Sequence, residues 1–360
     1  MSESLPLRHA IQQLASGGSL DQSAAAGAFG VLMRGEATPV QMAALLMGLR
    51  AKGESADEVA GAASALRCAM LRLDLGTADG VVDTCGTGGG RIGTLNISTA
   101  AAFVVAGAGV PVAKHGNRSY TSRCGSADVL EALGVDIDVP PARALTVLRD
   151  VGLVFLFAPT YHPAMRHVAP VRKELGVATI MNLLGPLANP AGVQRQVIGV
   201  SSEDRAPLMA GALARLGAAH ALVVHATIGM DEVSPAGTTR VWEVREAEVN
   251  QWTIAPARHG LECEDLDALA GGDPGENAAR IERLLEGKGS TVERCAVLLN
   301  AAAALYVSGN EWTLEECMAR AREALERGAG AEVLGRLRAA AGGPRVRHPE
   351  RSEGSGARWP

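Results

Sequence analysis

The chain is short of aromatic residues: four Phe, three Tyr and four Trp make up 3% of its 360 residues. With so few large rings, aliphatic side chains must fill the interior. The 43 glycines beside them point to many tight turns and closely approaching helices. Paired cysteines are missing too. The cysteines at 68, 85, 124, 263, 295 and 317 form no CxxC pair and show no metal-ligand spacing with histidine, so they read as free thiols. No apolar run approaches the ~18 residues of a membrane helix, and no basic region followed by an apolar one opens the chain. These absences predict a cytoplasmic protein. Nor is there an excess of positive charge. The net charge of −5 argues against nucleic acid as the main partner, so any anion site must be a local basic patch.

What is present divides the chain into contrasting parts. At 47% hydrophobic and 20% charged residues the composition is that of a globular protein, long enough for two domains. The first seventy residues read as helical. Ser19 with Gln22, Thr38 with Gln41 and Ser55 with Glu58 each fit a box in which a hydroxyl caps the third backbone N–H. Gly35 and Gly53 stand where helices would stop. From Val81 onward short apolar segments alternate with helix-length ones, which predicts a parallel sheet covered on both faces. The predicted strands are Val81–Asp83, Val110–Lys114, Leu153–Phe157, Val197–Val200 and Ala221–His225, with Thr239–Val244 and Glu248–Ile254 as an antiparallel addition. Predicted helices close the chain at about Pro274–Leu285, Val292–Ser308, Leu314–Arg327 and Ala331–Ala341. Residues 342–360 carry almost no apolar side chains and read as a disordered tail.

The stretch "VVDTCGTGGGRIGTLNISTA", 81–100, is a strand, a glycine loop and a helix start, the usual way of holding phosphate. GxxxxGK[ST] has no match. Gly88, Gly90 and Gly93 satisfy GxGxxG, but the acidic residue expected ~20 positions later for a dinucleotide ribose is absent, and the second strand ends in Lys114-His115 instead. Residues 84–127 contain no Asp or Glu, yet include Arg91, Lys114, Arg118 and Arg123. That asymmetry marks an anion site where two glycine-bearing loops, 86–90 and 115–116, converge at one sheet edge. Asn96, Ser98 and Thr99 open the helix between them. Asp231-Glu232, on a loop at the same edge, are a pair able to bind Mg²⁺ beside a polyphosphate. In "PTYHPAMRHVAPVRKELG", 159–176, the helical spacing sets Arg172 with Val168 and away from Arg166; an arginine there either forks onto a carboxylate or simply faces solvent.

Taken together, the blocks "GTGG" (86–89), "NIST" (96–99), "KHGNRS" (114–119), "GSADVLEALGV" (125–135), "FLFAPTYHPAMRHVAPVRKELG" (155–176), "NLLGPLANPA" (182–191), "MDEVS" (230–234) and "LAGGDPGENA" (269–278) resemble those of the anthranilate phosphoribosyltransferases of tryptophan biosynthesis. They occur in the family's order and cover the chain to about residue 340. The resemblance implies a small all-helical domain (1–73 and 172–191) and a larger α/β domain with a mostly parallel central sheet (74–171 and 192–340), with 341–360 as the tail. It implies transfer of the 5-phosphoribosyl group from 5-phosphoribosyl-1-diphosphate to anthranilate, with release of diphosphate. It also implies two Mg²⁺ per subunit and homodimers joined through the helical domain, with neither nucleic acid nor membrane as partner.

By the same resemblance, Gly86, Thr87, Gly88, Gly89, Thr94, Asn96, Ser98, Thr99, Lys114 and Ser126 bind the phosphoribosyl donor. Gly86, His115, Gly116, Asn117 and Arg172 line the anthranilate side. Ser98, Asp231 and Glu232 ligate metal, and Lys114, His115 and Arg172 stand at the reacting centre. For His115, amine delivery and a purely structural role are both open. The sequence departs from the family pattern at Gly90, where aspartate is usual, and at Tyr120, Arg123 and Ala127. The Gly90 departure predicts that activity survives with an altered Mg²⁺ dependence, which Gly90→Asp tests by Mg²⁺ titration. Two other readings share the fold: a pyrimidine nucleoside phosphorylase-like enzyme, and a non-catalytic nucleic-acid-binding relative, against which the acidic charge counts.

Overall fold

The computed structural model of the chain describes residues 5–76, 80–88, 93–119 and 123–341. Gly89, Gly90, Arg91, Tyr120 and the tail from 342 onward lie outside the described residues.

Four helices open the chain: α1 (Leu5–Ala15), α2 (Gln22–Met33), α3 (Pro39–Lys52) and α4 (Ala56–Ala69). Both later capping boxes form as expected. Thr38 accepts from the Gln41 N–H and Ser55 from the Glu58 N–H, with the reciprocal side-chain bonds present. The first differs. Asp21, not Ser19, caps α2, its Oδ1 accepting from the Ala24 N–H at 2.7 Å. Two residues from the hydroxyl stood a carboxylate, and a negative charge is the better acceptor at the positive end of a helix.

The α/β part runs β1 (Val82–Gly86), α5 (Ile97–Gly107), β2 (Val112–Gly116), α6 (Ser126–Ala132), α7 (Pro141–Val151), β3 (Leu153–Phe157), α8 (Ala158–Tyr161), α9 (Met165–Leu175), α10 (Met181–Leu187), β4 (Arg195–Gly199), α11 (Arg205–Arg215) and β5 (His220–Ala226). It continues through β6 (Thr239–Arg245), β7 (Glu248–Ile254), α12 (Pro274–Leu285), α13 (Thr291–Tyr306), α14 (Leu314–Glu326) and α15 (Ala329–Ala341). The strands form a seven-stranded sheet in the order β3-β2-β1-β4-β5-β6-β7. β1 to β5 are parallel, and the β6–β7 hairpin adds antiparallel at one edge, as predicted. The order reverses direction at β1: the chain steps to β2 and β3 on one side and resumes with β4 on the other. A crevice at the carboxyl ends beside such a point is where open α/β sheets bind ligands.

Apolar side chains sort into two cores. One surrounds α5 and α13 and holds Phe103, Val104, Phe155 and Leu299. The other joins the N-terminal helices to Ala164, Val168, Val171 and Leu184, and to the inward side chains Ile198, Val223 and Trp242 of the sheet. α9 packs on α2 and α3, and α11 packs on α4. β4 and β5 feed both cores, Val197, Leu222 and Val224 the first and Ile198 and Val223 the second, so this half of the sheet is covered on both faces.

Candidate active site

Three loops converge at the carboxyl edge. The first leaves β1 at Gly86, which pairs with Gly199 of β4. The Thr87 N–H donates to the Gly199 carbonyl at 2.9 Å, carrying the pairing one residue past the strand. Gly88 follows with φ +69°, a conformation that L side chains rarely adopt, and open space stands where a Cβ would go. The chain re-enters at Gly93 and Thr94, and here a distant segment holds it. Thr94 bridges Ala270, the Leu95 N–H donates to Leu269 O at 2.8 Å, and the Gly271 N–H donates to Gly93 O at 2.9 Å. A Cβ on Gly271 would lie 2.5 Å from the Thr94 carbonyl, so a glycine is required there.

Asn96 is the residue before α5 but does not cap it with its side chain. Its amide donates to the Cys124 carbonyl at 3.1 Å and accepts from Asn277 Nδ2 at 3.0 Å. It thus ties the glycine loop to the segment before α6 and to α12. Thr99 is 1% exposed, and its hydroxyl has no hydrogen-bond partner among the described residues. Ser98 faces the site: its N–H donates to Glu232 Oε1 at 3.3 Å, and its Oγ lies 3.4 Å from Lys114 Nζ.

The second loop follows β2. Lys114 is 2% exposed and reaches across to β1, donating to the Thr84 carbonyl. Burial pushes its amine below the usual lysine range, opposed by the charges of Asp83 and Glu232. Asp83, fully buried, accepts from Asn189 Nδ2 at 2.8 Å and from the His115 N–H at 3.3 Å. Gly116 has no Cβ because Ser126 Oγ occupies that space. The Ser126 hydroxyl donates to Asn117 O at 3.3 Å, and Asn117 Oδ1 accepts from the Arg118 N–H at 2.8 Å.

Arg118, one of the basic residues of the acid-free stretch 84–127, is not left free for an anion. Arg118 pairs with Asp128 at 3.1 Å and with Glu131, both on α6, and lies 5.7 Å from the Phe157 ring centre. These partners raise its pKa further. A stretch without acids says nothing about the acids that the next helix turns back onto it. Arg123 is exposed, while Lys114 lies under the glycine loop.

His115 meets α10 and the β3–α9 connection. Its Nδ1 is 3.2 Å from the Gly185 carbonyl and its Nε2 is 3.1 Å from His162 Nε2. A carbonyl only accepts, so Nδ1 of His115 carries the proton, and its Nε2 accepts from His162. Burial drives the pKa of His115 down to about 3 and that of His162 to about 4, so both rings are neutral. With both nitrogens engaged, His115 is built into the fold. Arg172 stands half-buried near the end of α9, with Val168 buried a turn before it and Arg166 exposed, the arrangement that the spacing predicts.

The third loop follows β5. Gly199 has no Cβ because the Asp231 carbonyl sits against it, and Asp231 Oδ2 lies 3.4 Å from where a Cβ on Gly86 would be. Two residues on, Val233 is held from α13: its N–H donates to Asn300 Oδ1 at 2.9 Å and its carbonyl accepts from Asn300 Nδ2 at 2.8 Å. Asp231 and Glu232 thus face the glycine loop and the start of α5. Burial raises both carboxyls, and the neighbouring Asp231 charge helps push Glu232 up to about 8. Among the described residues no three His, Cys, Asp or Glu side chains gather to hold a metal by themselves. Two carboxylates and a hydroxyl, all hard oxygens with charge left to neutralise, suit Mg²⁺ completed by substrate phosphates and water.

The chain matches the glycosyl transferase family α/β domain over residues 78–331 and the helical bundle domain of the same family over 8–70. It is 48% identical to the anthranilate phosphoribosyltransferase of Rhodopseudomonas palustris over 327 residues, 91% of this chain and 96% of that protein. It is 49% identical to that of Thermomicrobium roseum over 331 residues, 91% of this chain and 95% of that protein. It belongs to the anthranilate phosphoribosyltransferase family. Among solved structures, the anthranilate phosphoribosyltransferase from Thermus thermophilus superposes with a TM-score of 0.87 at 45% identity, covering 92% of this chain and 99% of that one. The Saccharomyces cerevisiae anthranilate phosphoribosyltransferase, in complex with PRPP and Mg, superposes with a TM-score of 0.85 at 29% identity, covering 95% and 99%.

Four buried residues of this family member were given no role from the sequence: His162, Asn189 and Asn277, which lie within the quoted blocks, and Asn300, which lies outside them. Each asparagine is buried and grips backbone or a site residue far away in sequence. A polar amide inside an apolar helix, as in "AVLLNAAAAL" (296–305), is the signal that marks Asn300.

Proposed function

We propose that the chain transfers the 5-phosphoribosyl group from 5-phosphoribosyl-1-diphosphate to the amine of anthranilate and releases diphosphate. The observation that carries this reading is the position of Asp231 and Glu232. Two carboxylates held against the glycine loop and the start of α5, both displaced upward in pKa, form half of a cation site facing a phosphate cradle.

The donor binds with its diphosphate along Gly86, Thr87, Gly88 and Gly89 and the backbone at Thr94, between the start of α5 and the β5 loop. Asn96 and Lys114 shape the floor of that cradle, Ser98 and Ser126 offer hydroxyls, and Thr99 supports the turn from below. Ser98, Asp231 and Glu232 would hold Mg²⁺, two ions per subunit, which would supply positive charge to the leaving diphosphate. Anthranilate enters beside Gly86, Gly116 and Asn117, with Arg172 meeting its carboxylate and His115 shaping the wall. Its nitrogen forms the new bond to the anomeric carbon and loses a proton to solvent. An aromatic amine is a weak nucleophile, so leaving-group departure dominates the barrier and a strong base is unnecessary.

The same reading divides the chain into a helical unit, 1–73 with the returning segment 172–191, and an α/β unit, 74–171 and 192–340. The clustering of the N-terminal helices with Val171, Leu184 and Leu187 in one core supports grouping the returning segment with them; Ala164 and Val168 extend the return toward α9, and the same core reaches on to α11 and one face of the sheet. A homodimer through the helical unit is favoured by α3, which leaves Val40 78% and Met47 38% exposed, two turns apart on one side. No described helix is long and apolar enough to cross a membrane, which accords with a cytoplasmic enzyme.

The test follows anthranilate fluorescence on adding the donor and Mg²⁺. A decay dependent on both is expected, and none in the folded protein overturns the reading. Arg172→Ala should raise the KM for anthranilate about tenfold or more and leave that for the donor nearly unchanged. Equal effects would remove Arg172 from the acceptor side.

A further inference from the structure

The Asp231–Glu232 loop carries the proposed metal ligands. Local bonds brace its two ends, the Ala226 N–H donating to the Met230 carbonyl at 3.0 Å and the Ser234 N–H to Thr239 Oγ1 at 3.0 Å, while the backbone between is also held from elsewhere. On one side the Asp231 carbonyl packs where Gly199 lacks a Cβ. On the other, Asn300 takes both backbone groups of Val233, accepting from its N–H at 2.9 Å and donating to its carbonyl at 2.8 Å. The side-chain amide pairs with Val233 as a neighbouring strand would. The other Nδ2 hydrogen goes to the Ala296 carbonyl of its own helix at 2.9 Å, so every strong group of the amide is used.

The surroundings make this arrangement costly to keep without a purpose. Asn300 is 3% exposed on α13, amid Leu298, Leu299, Ala301, Ala302 and Ala303, all buried. A polar amide in that setting costs free energy unless each hydrogen bond is made. Asn300 also lines the same small cavity as Glu232, Ser98, Thr84 and Gly199, beneath the carboxylate.

We propose that Asn300 is a positioning residue for the metal site: by fixing Val233 it sets where the Glu232 and Asp231 oxygens stand relative to Ser98, and so sets cation affinity. The inference rests on the reading of Asp231 and Glu232 as ligands. Asn300 itself touches neither substrate nor metal.

The experiment measures Mn²⁺ binding by electron paramagnetic resonance, in the intact chain with the phosphoribosyl donor and no anthranilate, so that no turnover contributes. Asn300→Leu, of similar volume, removes the grip; Asn300→Ser is the variant to use if leucine does not fold. The expected result is a dissociation constant for Mn²⁺ raised about tenfold or more, the range seen when an outer support of a metal ligand is removed. In steady-state assays the KM for anthranilate should stay within about twofold. A folded variant with parental Mn²⁺ affinity overturns the inference. Glu232→Gln, measured in parallel, separates the two levels. If it weakens Mn²⁺ binding while the Asn300 variants do not, the positioning role alone fails. If it too leaves binding unchanged, the assignment of the ligands falls, and the inference with it.

Discussion

The loops after β2 and β5 stand on either side of β1 at the same sheet edge, and they treat charge differently. Around β2, nearly every charge is answered from within the protein. Arg118 is met by Asp128 and Glu131, Lys114 by the Thr84 carbonyl, and Asp83 by Asn189 and a backbone N–H. The paired imidazoles of His115 and His162 are kept neutral. Around β5, two adjacent carboxyls are half-buried and raised in pKa, and their burial is not balanced by any cation that they touch directly among the described residues. Charge already satisfied holds a fold together. Charge left unsatisfied at a cleft is free for a ligand to use.

The strongest way to break this contrast is Glu232→Gln. Removing one unsatisfied carboxylate should lower kcat/KM about a hundredfold or more, and raise the Mg²⁺ concentration needed for half-maximal rate. Initial rates across a Mg²⁺ titration check it, and a loss under threefold would place Glu232 with the structural charges.

A moderate effect is expected from the histidines. Both bind protons less readily than the ordinary value of 6.5, at about 3 and about 4. Below pH 6.5 the unfolded chain therefore takes up more protons than the folded one, and stability falls as pH drops toward 4. Between pH 6.5 and 5.5 the two rings should cost roughly 2 kcal/mol. Urea unfolding at the two pH values measures it, with His162→Asn expected to show a shallower dependence. A parental slope in that variant would assign the acid sensitivity to other groups.

The smallest effect belongs to Arg118→Ala. Its guanidinium is 44% exposed and already paired, so the loss should be at most about 1 kcal/mol in thermal unfolding. The KM for the phosphoribosyl donor should stay within about threefold. A tenfold rise would return Arg118 to the phosphate site that the acid-free stretch suggested.

Much of this molecule was legible in its sequence, because strands and caps are written locally. Leu153–Phe157 and Glu248–Ile254 fall where predicted, and β1, β2 and β4 differ by one to three residues at their ends. β1 runs on to Gly86 since Cys85 and Gly86 pair with Ile198 and Gly199, contacts that strand-length apolar runs do not announce. Gly86, Ser98, Lys114, Asp231 and Glu232, read from four separate segments, do stand together at one edge. What was not legible depends on partners remote in sequence. Arg118 looks like a phosphate ligand until α6 folds back onto it. Asn189, Asn277 and Asn300 look like stray polar residues until the group that each one holds, backbone for Asn189 and Asn300 and the Asn96 side chain for Asn277, arrives from 67 to 181 positions away.

The bridge between Thr94 and Ala270 bears on how far this site can be treated as a module. The glycine loop, the lysine and the acidic pair all lie before residue 233, yet Leu269, Gly271 and Asn277 hold the loop's return at 93–96. A chain cut before residue 269 would keep the glycine loop, Lys114 and the acidic pair, and a graft of residues 81–126 into another sheet would keep the first two, yet both would lack the frame that gives the loop its shape. Motif and scaffold are interleaved along this polypeptide, and neither can be excised without the other.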